Sequence, residues 1–301
     1  MSLVDIYRSL GVTIDKDVAY LVVDGNEILK ANKVKGISME KKETKEGIDL
    51  RLVIKEGIKL RDPIHLCFGV SKERAIQKIH AEIIAEKDSH AYILAHCIFP
   101  KAKEVHHVMD GNLLIEKGAE LSYEEIHWHG EEGGAHVFPR LRTRNLGDFR
   151  STFSLLKGRV GRLEIDYLVE AGEKSVTEII TKVYGKENDE IRIREGVSLN
   201  GAYARSVIKS RIAVRDRAFS DVVNITEGNA PYVRGHVDCT EIVQGEAIAK
   251  ATPIVKVNHE KAKVTHEAAI GSVDRKQLET LMAKGLEEKE AIDVIIKGML
   301  R

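Results

Sequence analysis

The sequence predicts a mainly β protein whose core is a solenoid of stacked coils, a β-helix. From about residue 91 short apolar runs recur, each opened by a small residue and closed by a turn. No helix-length apolar stripe separates these runs, and Asn-Gly hairpins do not alternate with them, which argues against a doubly wound α/β sheet and an ordinary meander. Small residues at corners let stacked coils turn without collision, so the pattern favours a β-helix over the alternative, a β-sandwich. The alanines that carry this pattern are spaced 16, 12, 17 and 15 residues apart, at Ala202, Ala218, Ala230, Ala247 and Ala262.

Residues 1–90 are predicted to form a small α/β segment before the β-helix core of residues 91–271. Residues 5–10 fit a short first helix that Gly11 ends. Apolar and polar residues alternate over residues 48–54, which indicates a half-buried strand. Residues 71–86 carry isoleucines at helical spacing, but isoleucine is β-branched, so helix and strand both remain open for this stretch.

Residues 272–301 are predicted to form two short helices. Asp274 followed by Gln277 resembles a capping box, and Gly285 is a natural stop for the first helix. The second helix presents Ile292, Ile295, Ile296 and Met299 on one face. Two short helices cannot bury both apolar faces alone, so they cap the solenoid or dock on a partner.

Composition narrows the function classes. Lysine plus arginine equals aspartate plus glutamate at 47 each, and this zero net charge argues against a nucleic-acid binder. No apolar run approaches the roughly 18 residues that span a bilayer, and the first residues lack a signal pattern, so we expect a cytoplasmic protein without a membrane partner. The three cysteines form no CxxC motif and no disulfide framework.

Cys239 lies in the stretch RGHVDCTEIV. On a strand, Cys239 and Val237 would share one face, while His236 and Asp238 would share the other. A protonated histidine near the thiol, His236 or His266, would lower the pKa of Cys239. The alternative is a small cysteine buried in a β core.

His266 and Glu267 stand together in THEAAIG, where the predicted strands give way to helices. Consecutive residues of a strand point to opposite faces, so only one of this pair shares a face with Cys239. Cys239 and His266 are 27 residues apart, about one coil of the repeat, which allows both to lie on one wall. A thiolate, an imidazole and a carboxylate within reach of one another suit iron or an iron–sulfur fragment.

Three histidines in HWHGEEGGAH offer a second candidate metal site. His127 and His129 would share one face of a strand, and His136 follows a glycine-rich turn. We expect a solvent-exposed histidine loop here in preference to a tight metal site. Cys67 and Cys97 are expected to be packed thiols.

These stretches together resemble the SufB/SufD family, the scaffold subunits of the SUF iron–sulfur cluster assembly machinery. The ending VTHEAAIGSVDRKQLETLMAKGLEEKEAIDVIIKGML is similar to the family's His-Glu, Ile-Gly and paired helices, and YILAHCIFPKA resembles the start of its β-helix. PYVRGHVDCTEIVQGEA resembles the stretch with the family's cluster-site cysteine. The resemblance covers about residues 91–301 and implies a right-handed parallel β-helix.

The resemblance also implies a function. The chain would be a non-enzymatic scaffold that works with a SufC-type ABC ATPase, and a transient iron–sulfur cluster would form where two scaffold subunits join. Cys239, His266 and Glu267 map onto cluster-site residues, and the helical pair would hold the ATPase. The chain is shorter than bacterial SufB, so its partner is expected to be a second copy or a SufD-like subunit, and the sulfur donor stays unidentified. The residues expected to bind the ATPase are Met282, Ile292, Ile295 and Met299.

An alternative function is a metal-dependent enzyme on a β scaffold, cupin-like or carbohydrate-active, that uses His127, His129 and His136. Such an enzyme needs a deep polar pocket with convergent carboxylates. An aromatic content of 5% offers few platforms for stacking sugars.

Overall fold

The computed structural model describes residues 3–9, 11–12 and 14–300. In this part of the chain 19 strands form a parallel β-solenoid of about eight turns, with one short N-terminal helix and two C-terminal helices. This confirms the predicted fold class. The first helix covers most of the predicted residues 5–10, although Leu10 lies outside the described residues. The helices are α1 (Leu3–Ser9), α2 (Arg275–Ala283) and α3 (Glu288–Met299).

The strands alternate along the chain between two sheets. Odd-numbered strands from β5 onward, with β1 and β2, form one ten-stranded sheet, and even-numbered strands from β4 onward, with β3, form a nine-stranded sheet. The strands are β1 (Tyr20–Asp24), β2 (Glu27–Asn32), β3 (Ile37–Glu43), β4 (Gly47–Ile54), β5 (Ile64–Gly69), β6 (Arg74–Ala85), β7 (His90–Phe99), β8 (Glu104–Ile115), β9 (Glu120–His129), β10 (Ala135–Asn145), β11 (Asp148–Lys157), β12 (Arg162–Ala171), β13 (Val176–Gly185), β14 (Glu190–Leu199), β15 (Arg205–Asp216), β16 (Phe219–Gly228), β17 (Arg234–Gly245), β18 (Ile248–Val257) and β19 (Lys263–Gly271).

From β4 to β17 each strand pairs in parallel with the strand two places further along the chain. Ile93 of β7 lies beside Tyr123 of β9, and Val176 of β13 lies beside Arg205 of β15. One coil therefore takes about 30 residues, which is two of the units that the alanine spacing suggested. Along most strands buried and less buried positions alternate, so one face of each strand fills a continuous core between the sheets.

Antiparallel strands end the solenoid at its N-terminal side. β2 pairs antiparallel with β1, and β3 pairs antiparallel with β4. Helix α1 packs on the outer face of the ten-stranded sheet, where Leu3 and Tyr7 contact Cys67 and Ile98. These hairpins and the helix cover the apolar surface of the first coils.

Residues 71–86 form a strand and not a helix. β6 lies between β4 and β8 in the nine-stranded sheet, and the β-branched isoleucines that suggested a helix stand on a pleated surface. The sheets pass through residue 90 without a break, because β5 pairs with β7 and β6 pairs with β8. The first 90 residues therefore share their sheets with the solenoid, and a separate N-terminal domain stays a prediction.

The C-terminal helices begin and end as their sequence indicates. The Asp274 side chain accepts a hydrogen bond from the Gln277 backbone N–H at 2.8 Å and caps α2. Gly285 follows α2 with a φ of +97°, a conformation that glycine adopts without strain. Glu287 and Glu290 form a capping box at the start of α3.

Helix α3 lies across the outer face of the ten-stranded sheet. Ile292 and Ile296 are buried against Tyr184 of β13 and Ala213 of β15. The Tyr184 hydroxyl donates to Asp293 at 2.5 Å and ties the helix to the sheet. The pair of helices therefore packs on the side of the solenoid. Of the two alternatives, a cap on the last coil is wrong, and docking on a partner stays a prediction.

The last coil is left largely uncovered. Nearly every residue of β19 is exposed, and β18 carries no fully buried residue. Large apolar side chains stand open on these two strands, with Ile248 63% exposed and Ile270 50% exposed. An uncovered solenoid end with free strand edges is a surface that proteins usually protect.

Within the described residues, no helix has the length and apolar character needed to cross a membrane.

Candidate functional site

Cys239 lies on the inner wall of the solenoid, one strand from its uncovered end. It stands on β17 and is 2% exposed. Its neighbours in the sheet are Ser210 of β15 and Ala268 of β19. Only the last coil therefore separates this thiol from the open end.

His266 shares the inner face with Cys239. In the β17–β19 pairing His266 lies beside Val237, and Val237 is buried on the same face of β17 as Cys239. Strands lie about 4.8 Å apart and two residues of a strand span about 6.6 Å, so the Cα atoms of Cys239 and His266 are roughly 8 Å apart. The 27-residue spacing thus places both on one wall, with His266 exposed at the open end.

His236 and Glu267 occupy the opposite face. Asp238 pairs with Glu267, and His236 pairs with Thr265, so strand alternation turns these side chains outward. The His236 ring lies 2.9 Å from the Thr265 hydroxyl. The four predicted site residues are therefore divided, with Cys239 and His266 inside and His236 and Glu267 outside.

The surroundings of Cys239 favour the protonated thiol. Burial and then the charges of Glu241 and Glu195 raise its pKa to about 12. The Cys239 sulfur lies 3.9 Å from a carboxylate oxygen of Glu241, which is itself buried and accepts from Ser220 at 2.7 Å. The expected lowering of the Cys239 pKa by a histidine is wrong for this arrangement, because neither histidine outweighs burial and the carboxylates. In this closed arrangement the thiol is therefore favoured over the thiolate at neutral pH.

Polar side chains also line the wall further inside. Glu195 of β14 is fully buried and accepts hydrogen bonds from Thr181, Ser210 and Asn224. Burial raises its pKa to about 7, against the effect of these three donors. These groups satisfy one another's hydrogen bonds inside the solenoid, as buried polar side chains usually do.

The histidine-rich stretch is not an exposed loop. β9 continues through His129, and its alternation directs His127 and His129 into the core, where they are 2% and 3% exposed. His136 lies on β10, turned outward and stacked on His106 at 4.8 Å between ring centroids. The three histidines of the alternative enzyme therefore do not converge.

Sequence reasoning missed Glu125. This residue stands two places before His127, so E-I-H-W-H puts its carboxylate on the same inner face as both histidines. The alternation of side chains along a strand, applied to this motif, would have predicted that Glu125 faces the same way as the two histidines. Cys97 is buried as expected, and it faces the same group of side chains.

The residues expected to bind an ATPase differ in exposure. Ile292 is buried against the solenoid at 6% exposure, so it is not free for a partner in this arrangement. Ile295 and Met299 are partly buried in the same contact. Met282 is 42% exposed on α2, and Val294 of α3, which the sequence reasoning did not select, is 49% exposed.

Comparison with known proteins adds a finding that geometry alone does not give. A family model described as SUF system FeS cluster assembly, SufBD core domain, matches residues 68–299. The chain is 44% identical to an iron-sulfur cluster assembly SufBD family protein of Methanocaldococcus jannaschii, over 93% of this chain and 89% of that protein. It is 35% identical to an iron-sulfur cluster assembly SufBD family protein of Pyrococcus horikoshii, over 99% of this chain and 93% of the relative. It is 20% identical to the iron-sulfur cluster assembly protein SufB of Bacillus subtilis, over 83% of this chain and 54% of that protein.

Proposed function

Because the chain belongs to the SufBD family, we propose that it is a scaffold on which iron–sulfur clusters are assembled. The observation that carries this proposal is the place of Cys239, a thiol on the inner wall one strand from an uncovered solenoid end. A scaffold must hold a cluster and then release it. Ligands close to the uncovered end can bind a cluster there and still let it leave. Its relatives are named as iron–sulfur cluster assembly proteins.

The inner-wall residues supply the ligands. Thiolate sulfur is the donor that iron–sulfur clusters prefer, and imidazole can replace it on iron. Cys239 and His266 face the same interior, so both can reach one cluster at the open end. Glu267 and His236 lie on the outer face, and they can take part only if β19 moves or a neighbouring subunit brings that face to the cluster.

The cluster would form at a joint between two copies of the chain. The uncovered last coil supports this, since two such ends can shield each other and extend their sheets. Pairing would also enclose Cys239 and His266 from two subunits in one space. A SufD-like subunit in place of the second copy is the other arrangement.

An ABC-type ATPase of the SufC kind would supply the movement that opens the joint. Helices α2 and α3 support this role, because Met282 and Val294 stay exposed while Ile292 and Ile296 of α3 pack on the solenoid. Arg215 and the Tyr184 hydroxyl both contact Asp293 of α3, at 3.2 and 2.5 Å, so a pull on the helix is passed to β13 and β15. In this proposal the ATPase performs the catalysis, and the scaffold itself is not an enzyme.

Substitution of Cys239 tests the proposal. Cys239→Ser is nearly isosteric and keeps the fold, but hydroxyl oxygen is a poor ligand for iron–sulfur fragments. Anaerobic incubation with iron and sulfide should give the wild-type protein the visible absorbance of a cluster, and the variant should retain less than about a tenth of it. Cys67→Ser is the control, because Cys67 is an equally buried thiol on the outer side beneath α1. Full cluster uptake by Cys239→Ser protein would show that the site lies elsewhere.

A further inference from the structure

A second group of metal-ligating side chains lies inside the solenoid, remote from Cys239. The Cys97 sulfur, a carboxylate oxygen of Glu125 and a ring nitrogen of His127 lie within 4.8 Å of one another. Five strand spacings separate β7 from β17, which is about 24 Å. We propose that Cys97, Glu125 and His127 form an internal binding site for a divalent transition-metal ion, Fe(II) or Zn(II). Thiolate, imidazole and carboxylate are the protein donors that these ions take.

The hydrogen bonds around His127 leave its Nε2 atom facing the proposed site. The Nδ1 atom of His129 lies 3.1 Å from the backbone carbonyl of Arg159, so this nitrogen carries a proton and donates it. A neutral imidazole that donates from Nδ1 accepts at Nε2, and His129 Nε2 lies 3.1 Å from His127 Nδ1, so His127 donates from Nδ1. The Nε2 atom of His127 therefore faces Glu125. Metal-bound histidines are commonly oriented in this way by a hydrogen bond from the other ring nitrogen.

Glu125 is held by its other oxygen. Its Oε2 atom accepts from the Tyr167 hydroxyl at 2.9 Å and lies 3.2 Å from the Tyr123 hydroxyl. Its Oε1 atom lies 2.7 Å from His127 Nε2. One oxygen is thus fixed by the tyrosines, and the other points to the place of the ion.

A further imidazole stands beside the thiol. The amide nitrogen of Gln77 donates to the carbonyls of Gly25 and Gly69, so its oxygen is the atom that faces His107 Nδ1 at 2.8 Å. His107 must therefore donate from Nδ1, and its unprotonated Nε2 lies 3.7 Å from the Cys97 sulfur. This nitrogen accepts the thiol hydrogen in the empty site and is within reach of a fourth coordination position.

Charge balance favours occupation by a dication. One thiolate and one carboxylate together neutralise a divalent ion, and a neutral imidazole adds no charge. The occupied site would therefore carry no net charge. This matters because an uncompensated charge in a dry core costs several kcal/mol.

The site needs only small side-chain shifts to hold an ion. Ligands at about 2.0–2.3 Å from one tetrahedral metal lie roughly 3.3–3.7 Å apart. The three ligand atoms here lie within 4.8 Å of one another, and the Glu125 and His127 atoms, now 2.7 Å apart, would separate slightly. Phe153 and Phe99 pack on the His127 ring, with centroids 4.7 and 6.2 Å away, and keep the space apolar and closed. An ion would enter while the chain folds or when the coils open, so its exchange should be slow.

Cobalt(II) tests the site directly, because it replaces zinc and iron and gives a thiolate-to-metal absorption band. The full-length protein is unfolded in denaturant with a chelator, then refolded anaerobically with Co(II) and desalted. Wild-type protein should retain about one Co(II) with this band. Cys97→Ser should lose the band, and His127→Gln should retain at least tenfold less metal. Cys67→Ser and Cys239→Ser should match the wild type, which separates this site from the proposed cluster site.

Two results of the Co(II) experiment would show that the proposed metal site does not exist. Wild-type protein that refolds without a Co(II)–thiolate band, or a band that survives in Cys97→Ser, overturns the proposal. Circular dichroism establishes that each variant has refolded, and X-ray absorption of Zn(II)-loaded wild-type protein gives a second measure that needs no variant. It should show one sulfur with nitrogen and oxygen ligands, and a shell without sulfur would equally overturn the site.

Discussion

At the scale of single residues, the inner wall combines apolar packing with a few deeply buried polar groups. Glu195 has no solvent contact, and its donors Thr181, Ser210 and Asn224 come from three different strands. A carboxyl in this place is stabilised in its neutral form by burial, and its pKa rises to about 7. The protonation of one side chain therefore affects the stability of the central coils.

Glu195 should make the protein less stable as the pH rises. The folded state keeps the proton up to about pH 7, whereas the carboxyl of the unfolded chain loses it near its ordinary pKa of 4.5. The stabilisation is complete below pH 4.5 and is lost as the pH rises through 7. In urea unfolding, the wild-type free energy of unfolding should fall between pH 5 and pH 8 by on the order of 2 kcal/mol more than that of Glu195→Gln.

Glu170→Gln, on the exposed side of β12, is the control for this measurement. It should keep the wild-type pH dependence. Equal slopes in wild type and Glu195→Gln would mean that Glu195 is ionised in the folded protein throughout this range.

The sequence predicts which face of a strand a side chain occupies wherever the alternation of a regular strand alone decides it. Alternation placed His266 and Glu267 on opposite faces, and it placed Cys239 on the face away from His236. It failed at His127 and His129, because the glycines after them suggested a loop while the strand continues through His129. The pKa of Cys239 could not be predicted, since it depends on burial and on carboxylates from other coils.

At the scale of elements, the helical pair is divided between a packed and an exposed surface. Ile292 and Ile296 hold α3 on the ten-stranded sheet, while Met282 of α2 and Val294 of α3 remain open. Asp274 and Gly285 mark the start and end of α2 as predicted. The sequence could not show which apolar face meets the solenoid, because both helices carry more apolar positions than one contact uses.

Met282→Asp should weaken binding of the proposed ATPase partner. A charge in the centre of an apolar contact is desolvated without a partner, so we expect at least a tenfold loss of affinity by calorimetry. Val176→Asp is the matched control, since Val176 is similarly exposed at 43% but lies at the far end of β13 from the helices. Unchanged affinity for Met282→Asp, with the control also unchanged, would place ATPase docking on another surface.

At the scale of the whole molecule, the two ends of the solenoid differ. Antiparallel hairpins and α1 close the first coils, whereas β18 and β19 present open edges and apolar side chains. The sequence predicted the solenoid from its repeated short strands, yet it suggested a cap at the end that the structure leaves bare. The location of α3 on the side of the sheets explains the difference, because its apolar face packs on Tyr184 and Ala213 and not on the last coil.

This asymmetry leads to the central claim, that the cluster forms where two open ends meet. Ile270 lies on the inner face of the last coil, 50% exposed, so Ile270→Lys places a charge in the joint without disturbing a packed core. Ile76→Lys is the control, because Ile76 is 48% exposed on β6 in the other half of the solenoid.

The most direct measurement is cluster uptake by Ile270→Lys after anaerobic incubation with iron and sulfide, on protein whose mass is established by sedimentation. Wild type and Ile76→Lys should be dimers that acquire the cluster absorbance. Ile270→Lys should be a folded monomer that acquires almost none, although its Cys239 and His266 are intact. A monomeric Ile270→Lys protein with wild-type cluster absorbance would show that cluster assembly needs no joint between two copies.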